Sequence, residues 1–391
     1  MRPPSARTLT AALAIQCCNG GLYAWSTFVP ALRATYGLSA TQAAVIFSTT
    51  MAFFTGMMVI AGPIQERRGP SRVVVLGGVL FALGYLVAAR SQGSFWALLV
   101  GLGVLGGTAI GLGYVSALGA CARCFPNHCG LVTGIVVAGF GISGMLVAQV
   151  ASTQLAAGVD VLVLLGRIGV VAGAVLVTAG LLLSVPGQTP AAAVGGAAVL
   201  REPAVRRLLV GMFAGTFGGL LVVSNLGPLV LCLGAPQRTA VWAVGAFAVG
   251  NTVGRIVWGR LVDRSGRKAV PASLVCLCIA LLLLSASVPP GALLGVCALL
   301  GACFGANFVV YAAEVARTYG PDGVGRVYPW VFLSYGLAGI VGPAAGGWLA
   351  DTLGDYRLAT LLAALVAGLG VLAVTLADRG RTAAPLGTAR R

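Results

Sequence analysis

Apolar residues fill most of this chain in blocks broken by short polar stretches. The blocks fall near 9–32, 43–64, 73–89, 97–122, 131–155, 163–185, 208–233, 240–262, 270–288, 291–313, 327–350 and 357–377. Each is about as long as a helix must be to cross roughly 30 Å of hydrocarbon at about 1.5 Å per residue. The pattern therefore predicts an all-α membrane protein of twelve transmembrane helices. Arg2 and Arg7 precede the first block, as they would in a signal peptide. That block is too long for a signal core and runs on into Tyr23-Ala-Trp-Ser without a convincing cleavage site, so it reads as span 1.

Composition narrows the class further. With 58% hydrophobic and 9% charged residues, 58 glycines and a mean hydropathy of +0.97, the soluble, disordered, collagenous and disulfide-rich secreted classes are excluded. Twelve spans leave little of the 391 residues for a soluble domain. A net charge of +16 would suggest nucleic acid in a soluble protein, but here the basic residues lie mostly between apolar blocks. The N-terminus, the even-numbered loops and the C-terminus, with the adjoining block ends, hold 19 Lys and Arg against 5 in the odd-numbered loops and their block ends. That bias predicts both termini in the cytoplasm and no nucleic-acid partner. The ten cysteines show no zinc or disulfide spacing and read as small apolar fillers. His128 is the sole histidine, no Ser-His-Asp set is evident and no glycine-rich phosphate loop follows a strand. No enzyme, metal site or cofactor is expected.

An internal repeat divides the chain. After span 2 it reads Gly62-Pro-Ile-Gln-Glu66-Arg67-Arg68-Gly69-Pro-Ser-Arg72, and after span 8 Gly259-Arg-Leu-Val-Asp263-Arg264-Ser-Gly266-Arg267-Lys268. Both fit G-x-x-x-[DE]-R-x-G at an offset of 197 residues. Arg123-Cys-Phe-Pro after span 4 is echoed by Arg317-Thr-Tyr-Gly-Pro after span 10, at an offset of 194. Two echoes at nearly one offset predict two pseudo-symmetric six-helix halves, residues 1–185 and 208–391, the second ending in a short cytoplasmic tail. A cytoplasmic linker over 186–207 joins them, with Pro186, Pro190 and Pro203 and the pairs Arg201/Glu202 and Arg206/Arg207.

These paired loops resemble the signature of the major facilitator superfamily, and the resemblance extends over essentially the whole chain. Gly21-Leu-Tyr23-Ala-Trp25-Ser26, Arg123-Cys-Phe125-Pro126 into Gly130-Leu-Val-Thr-Gly134, and Asn251-Thr-Val-Gly254-Arg255 resemble its oxalate/formate antiporter and monocarboxylate transporter branch. The resemblance implies the major facilitator fold, a central substrate site and alternating access.

In each loop motif the leading glycine permits close helix approach and the later one a tight turn. The acid, Glu66 or Asp263, can pair locally or accept from a helix of the opposite half. Such contacts would hold one side closed in one state and break in the other. This makes Glu66, Arg67, Arg72, Asp263, Arg264 and Arg267 candidate gating residues; the alternative is ordinary positive-inside loops. Glu314, three residues before Arg317, reads as a charge partner at the cytoplasmic end rather than a proton carrier.

Arg255 is the strongest substrate candidate. It stands about halfway along span 8 among Trp242, Phe247, Ile256 and Trp258, and no acid follows in that span until Asp263. A charge at such depth costs several kcal/mol unless it meets water, a partner or a substrate. Asn251, four residues earlier, shares its face. A guanidinium beside an amide suits a carboxylate, which its planar fork can bind with two parallel hydrogen bonds. The alternative is an Arg that snorkels or pairs with an acid of another helix. In the family resembled, an Arg in this context is the substrate-anion ligand. Tyr114, Phe304, Phe308, Tyr311, Phe332 and Tyr335 could supply aromatic walls, the spacings 304/308/311 and 332/335 each placing their members on one helical face.

The sequence departs from its relatives in telling places. Oxalate exchangers of this branch carry a buried Lys at the position matching Tyr335, so the single Arg255 here favours a monovalent anion. Animal-type monocarboxylate carriers have an acid where Asn251 stands and a Lys in span 1, and neither is present. Glycines at four-residue spacing in spans 4, 8 and 11 predict close helix contacts. Together the residues and the resemblance imply a secondary transporter of a bacterial cytoplasmic membrane, a monomer by default, moving a small monocarboxylate such as lactate or pyruvate with a co-transported proton or an exchanged anion. An oxalate/formate-type antiporter and a facilitator exporter of another substrate class are the alternatives.

Overall fold

The computed structural model describes residues 4–184, 197–286, 289–353 and 356–382. Helices and their short connections account for these residues, and no strand occurs among them. Ten helical stretches are long and apolar enough to cross a membrane. One of them, Gln237–Ser285, has 49 residues and turns at Gly266, whose φ of +56° few residues with a side chain adopt; it makes two spans. The first span is divided into Pro4–Asn19, a tighter 3-10 segment Gly20–Ala24, and Trp25–Tyr36. With it, the described residues contain the twelve spans that the apolar blocks predict.

Local chemistry sets the helix ends. Ser39 opens span 2, Ala40–Arg68, with a capping box: its hydroxyl accepts from Gln42 N–H at 3.0 Å while Gln42 Oε1 accepts from Ser39 N–H at 2.9 Å. Asp160 opens span 6, Val161–Leu182, accepting from the N–H groups of Leu162 and Val163 at 2.8 and 3.2 Å. Several spans are interrupted inside. Span 4 carries a wider π-type winding over Leu99–Gly106, and span 7 breaks between Pro203–Val223 and Leu226–Cys232. Span 10 breaks between Pro290–Ala306 and Val310–Tyr319, where Asn307, Phe308 and Val309 bond back three residues instead of four.

The chain forms two compact units. The first holds Met1–Val194 with Val315–Pro329, the second Gly195–Glu314 with Trp330–Arg391. Within the first, span 3 packs on span 6, span 2 on span 4, and span 1 on spans 4, 5 and 6. Within the second, span 8 packs on span 10, and span 12 on spans 7 and 9. Residues 185–196 lie outside the described chain, so the linker is seen only from the turn Ala197–Arg201 onward, and span 7 already begins at Pro203.

Small residues set the closeness of these pairs, as their spacing predicts. A Cβ on Gly250 or Gly254 would strike the backbone of Ala298 or Ala302 in span 10, and one on Gly107 or Gly111 the carbonyl of Thr50 or Phe54 in span 2.

Candidate functional site

In the second unit, Arg255 is wholly buried at 0% exposure. Its Nε donates to Asn251 Oδ1 at 3.3 Å, one helical turn earlier, and its guanidinium carbon lies 4.5 Å above the ring centre of Phe308. Phe308 meets Phe304 at 5.3 Å, Tyr335 at 5.4 Å and Phe332 at 6.3 Å, and Phe332 meets Tyr335 at 5.0 Å. Thus Arg255, Asn251, Phe304, Phe308, Phe332 and Tyr335 come together in one unit. Gly305 makes the arrangement possible: a Cβ there would strike the Asn251 carbonyl and come within 3.2 Å of Arg255 Cγ. The result is a cation placed over an aromatic face and bonded to an amide one turn away.

Some neighbours differ from the sequence expectation. Trp242 and Ile256 are exposed on the outer face of span 8, while Phe247 and Trp258 are buried. The break at 307–309 also rotates Tyr311 away from the 304/308 line. It sits against Gly211 of span 7, and its hydroxyl meets no hydrogen-bond partner among the described residues. Tyr114 belongs to the first unit, where it packs edge-on against Phe54 at 5.3 Å and Phe140 at 5.6 Å, with Tyr23 5.3 Å from Phe140.

The repeat offsets relate these two clusters. Shifting by 197 residues places Arg255 on Met58 and Asn251 on Phe54, and shifting by 194 places Phe308 on Tyr114. The Phe54–Tyr114 ring contact of the first unit thus falls on Asn251 and Phe308 of the second, and Met58 stands where the second holds Arg255.

At the motif end of the first unit, Glu66 pairs with Arg326 on the short helix Gly323–Arg326, and Arg123 pairs with Asp322 at 3.5 Å. Gly62 lies so close to Gly325 that a Cβ would collide with its carbonyl. Arg67 and Arg72 are exposed. In the second unit Asp263 and Arg264 are exposed, whereas Arg267 approaches Glu314 at 3.9 Å. Glu314 pairs chiefly with Arg207 of span 7 at 3.4 Å, and both side chains are nearly inaccessible.

Sequence reasoning did not single out Arg326, Phe54 or Phe140. The sequence puts Arg207 at the end of the linker, whereas it lies on the helix Pro203–Val223. The two arginines carry no local signal, because their acids lie 260 and 107 residues away.

Two compact helical units, twelve spans and paired loop motifs define a multi-pass membrane transporter of the facilitator type. The sequence profile of the Major Facilitator Superfamily matches residues 11–231 and 208–390, and the chain belongs to that family. It is 28% identical over 397 aligned positions to apicoplast pyruvate carrier 1 of Toxoplasma gondii, covering 82% of this chain and 72% of that one. It is 23% identical over 372 positions to the oxalate:formate antiporter of Oxalobacter formigenes, covering 91% and 87%. A crystal structure of the transporter FucP of E. coli in its outward conformation superposes with a TM-score of 0.76 over 95% of this chain and 99% of that one, at 15% identity.

Proposed function

We propose that this transporter moves a small monocarboxylate of the lactate or pyruvate type by alternating access, with Arg255 as the ligand of the carboxylate. The observation that carries the reading is the setting of Arg255: fully buried, held by Asn251 and laid over Phe308. A guanidinium so placed offers a planar fork to a carboxylate where water is scarce and charge-assisted hydrogen bonds are strong. An anion bound there gains charge-assisted hydrogen bonds away from water, which favours occlusion of the loaded site. Phe304, Phe308, Phe332 and Tyr335 shape the apolar side of the site. Tyr335 in place of a second cation favours one negative charge over two. The names borne by the relatives, a pyruvate carrier and an oxalate:formate antiporter, fit a small carboxylate as cargo.

Glu66 with Arg326, and Arg123 with Asp322, serve in this reading as contacts that close one side and break on each cycle, and Arg67, Arg72, Asp263, Arg264 and Arg267 are the other gating residues of the two motifs. The test is uptake of radiolabelled L-lactate into proteoliposomes, driven by an inward proton gradient or by preloaded unlabelled anion, for wild type and Arg255→Ala. Uptake lost in the variant supports the reading, and the driving condition distinguishes symport from exchange. If wild type moves no lactate, pyruvate, formate or oxalate under either condition, the carboxylate assignment fails.

A further inference from the structure

We propose that a groove on the lipid-facing side of the first unit seats an anionic phospholipid of the leaflet away from the termini, with the lipid phosphate on Arg167 and an acyl chain along spans 1, 5 and 6. Such a site lies within one unit and is independent of the cargo that the transporter carries.

Arg167 is an unusual residue for its place. It is the seventh residue of span 6, Val161–Leu182, and it is exposed. At about 1.5 Å per residue its Cα lies ~9 Å below the end of that helix. A cation at such depth on a lipid-facing surface is costly unless it meets an anion or reaches the interface. Asp160, the acid that opens the span, is already engaged. It accepts from the Tyr36 hydroxyl at 2.7 Å and from the N–H groups of Leu162 and Val163. Among the described residues Arg167 makes no ion pair or side-chain hydrogen bond.

The surface beside Arg167 is shaped for hydrocarbon. A groove of about 540 Å³ lies between spans 1, 3, 5 and 6, a size within the range of about 300–1,000 Å³ that ligand clefts occupy. Leu146, Val150, Val171 and Val175 line it and are exposed, so it opens outward to the bilayer. Gly21 leaves the space: even a Cβ on it would come no closer than 3.7 Å to Val147. Val175 also lines a second groove, of about 570 Å³, which follows spans 1 and 6 to Leu182 and Arg7. The apolar furrow thus continues along span 6 from Arg167 toward the opposite membrane face.

The polar groups mark one end of it. Gln154 stands two residues before the end of span 5, Cys129–Ala156, and Arg167 near the start of span 6, on the same membrane side, and both line the groove. Ser143, deeper in, donates its hydroxyl to the Phe140 carbonyl. A guanidinium and an amide at one end of a groove open sideways to the bilayer match a headgroup and its acyl chain. A soluble ligand would have to cross hydrocarbon to enter. The planar fork can bind two phosphate oxygens, and the long arginine stem lets the charge rise toward headgroup level. Basic pockets between spans hold anionic headgroups in the same way. A zwitterionic lipid carries its own cation beside the phosphate and fits Arg167 less well.

The test follows thermal unfolding of the purified full chain in detergent while phosphatidylglycerol, or phosphatidylcholine with the same chains, is titrated in, since a lipid that binds the folded state raises the melting temperature. Wild type should bind phosphatidylglycerol about 10-fold more tightly than phosphatidylcholine, as expected for hydrogen bonds to a charged group. Arg167→Gln should lose that preference. Arg33→Gln, which removes an exposed arginine on the same membrane side but outside the groove, should keep it. Ala172→Trp, which fills the groove, should weaken both lipids. Glycerol 3-phosphate, a headgroup without chains, should not stabilise the protein. Equal binding of the two lipids by wild type, a preference that survives Arg167→Gln or is lost equally in Arg33→Gln, or stabilisation by glycerol 3-phosphate alone would overturn the site. So would lipid binding untouched by Ala172→Trp; should that variant not fold, the remaining comparisons decide. Failure of the carboxylate reading alters none of these outcomes.

Discussion

The buried pair Arg207–Glu314 allows a decisive test of what Glu314 does. The two side chains retain 2% and 1% of their exposure at 3.4 Å, and Arg267, 46% exposed, approaches the same carboxylate oxygen at 3.9 Å. At an effective dielectric of about 20 the pair attracts by ~5 kcal/mol before desolvation is subtracted. Removing one partner strands the other charge and costs about 3–5 kcal/mol, whereas removing both is close to neutral. Arg207→Met should therefore be destabilised by somewhat less than Glu314→Gln, because Arg267 can still partner the remaining carboxylate. The double variant should recover most of either loss. Unfolding of the purified protein in detergent, followed through the tryptophans, gives the three differences and hence the coupling energy. A proton carrier would behave otherwise: Glu314→Gln would keep its stability, retain anion exchange and lose only proton-driven uptake. Single variants within about 0.5 kcal/mol of wild type, with no recovery in the double, would refute the structural assignment.

Three further outcomes follow from the geometry. Arg255→Lys keeps the charge but loses the fork and the guanidinium contact with Phe308; the KM for lactate counterflow should rise about 10- to 100-fold, and a lysine that serves equally well would contradict bidentate binding. Gly305→Ala pushes a methyl into the Asn251 carbonyl and should cost about 1–3 kcal/mol in thermal unfolding, while Gly295→Ala, with nothing within 4 Å, should cost nothing. Asp160→Ala removes a helix cap and the acceptor of the Tyr36 hydroxyl at 2.7 Å, for a loss of about 1 kcal/mol at neutral pH. Burial alone would raise the Asp160 pKa, but the bonds from Tyr36, Val163 and Leu162 outweigh it and hold the carboxyl below its ordinary range. Its stabilisation is thus complete above the ordinary Asp pKa of about 4 and disappears as pH falls through the lowered one, so wild type and variant should converge in acid.

The sequence by itself determined the architecture. Spans in a bilayer must be helices of a set length, so apolar blocks and loop charges are enough to count them. The repeat in the loop motifs exposed two halves, because close packing constrains the same glycines twice. Arg255 was legible for a related reason: a charge in the middle of an apolar block is costly enough to need a purpose. That Asn251 shares its face was legible too, since four residues on a helix fix that geometry, and the structure adds the hydrogen bond between them. Other features were decided only by the tertiary structure. The partners Glu66 and Arg326 stand 260 residues apart, and Arg207 and Glu314 107 apart, so no periodicity joins them. The break at Asn307, which turns Tyr311 away from Phe308, leaves no clear mark in an apolar run where the 3.6-residue period carries straight through.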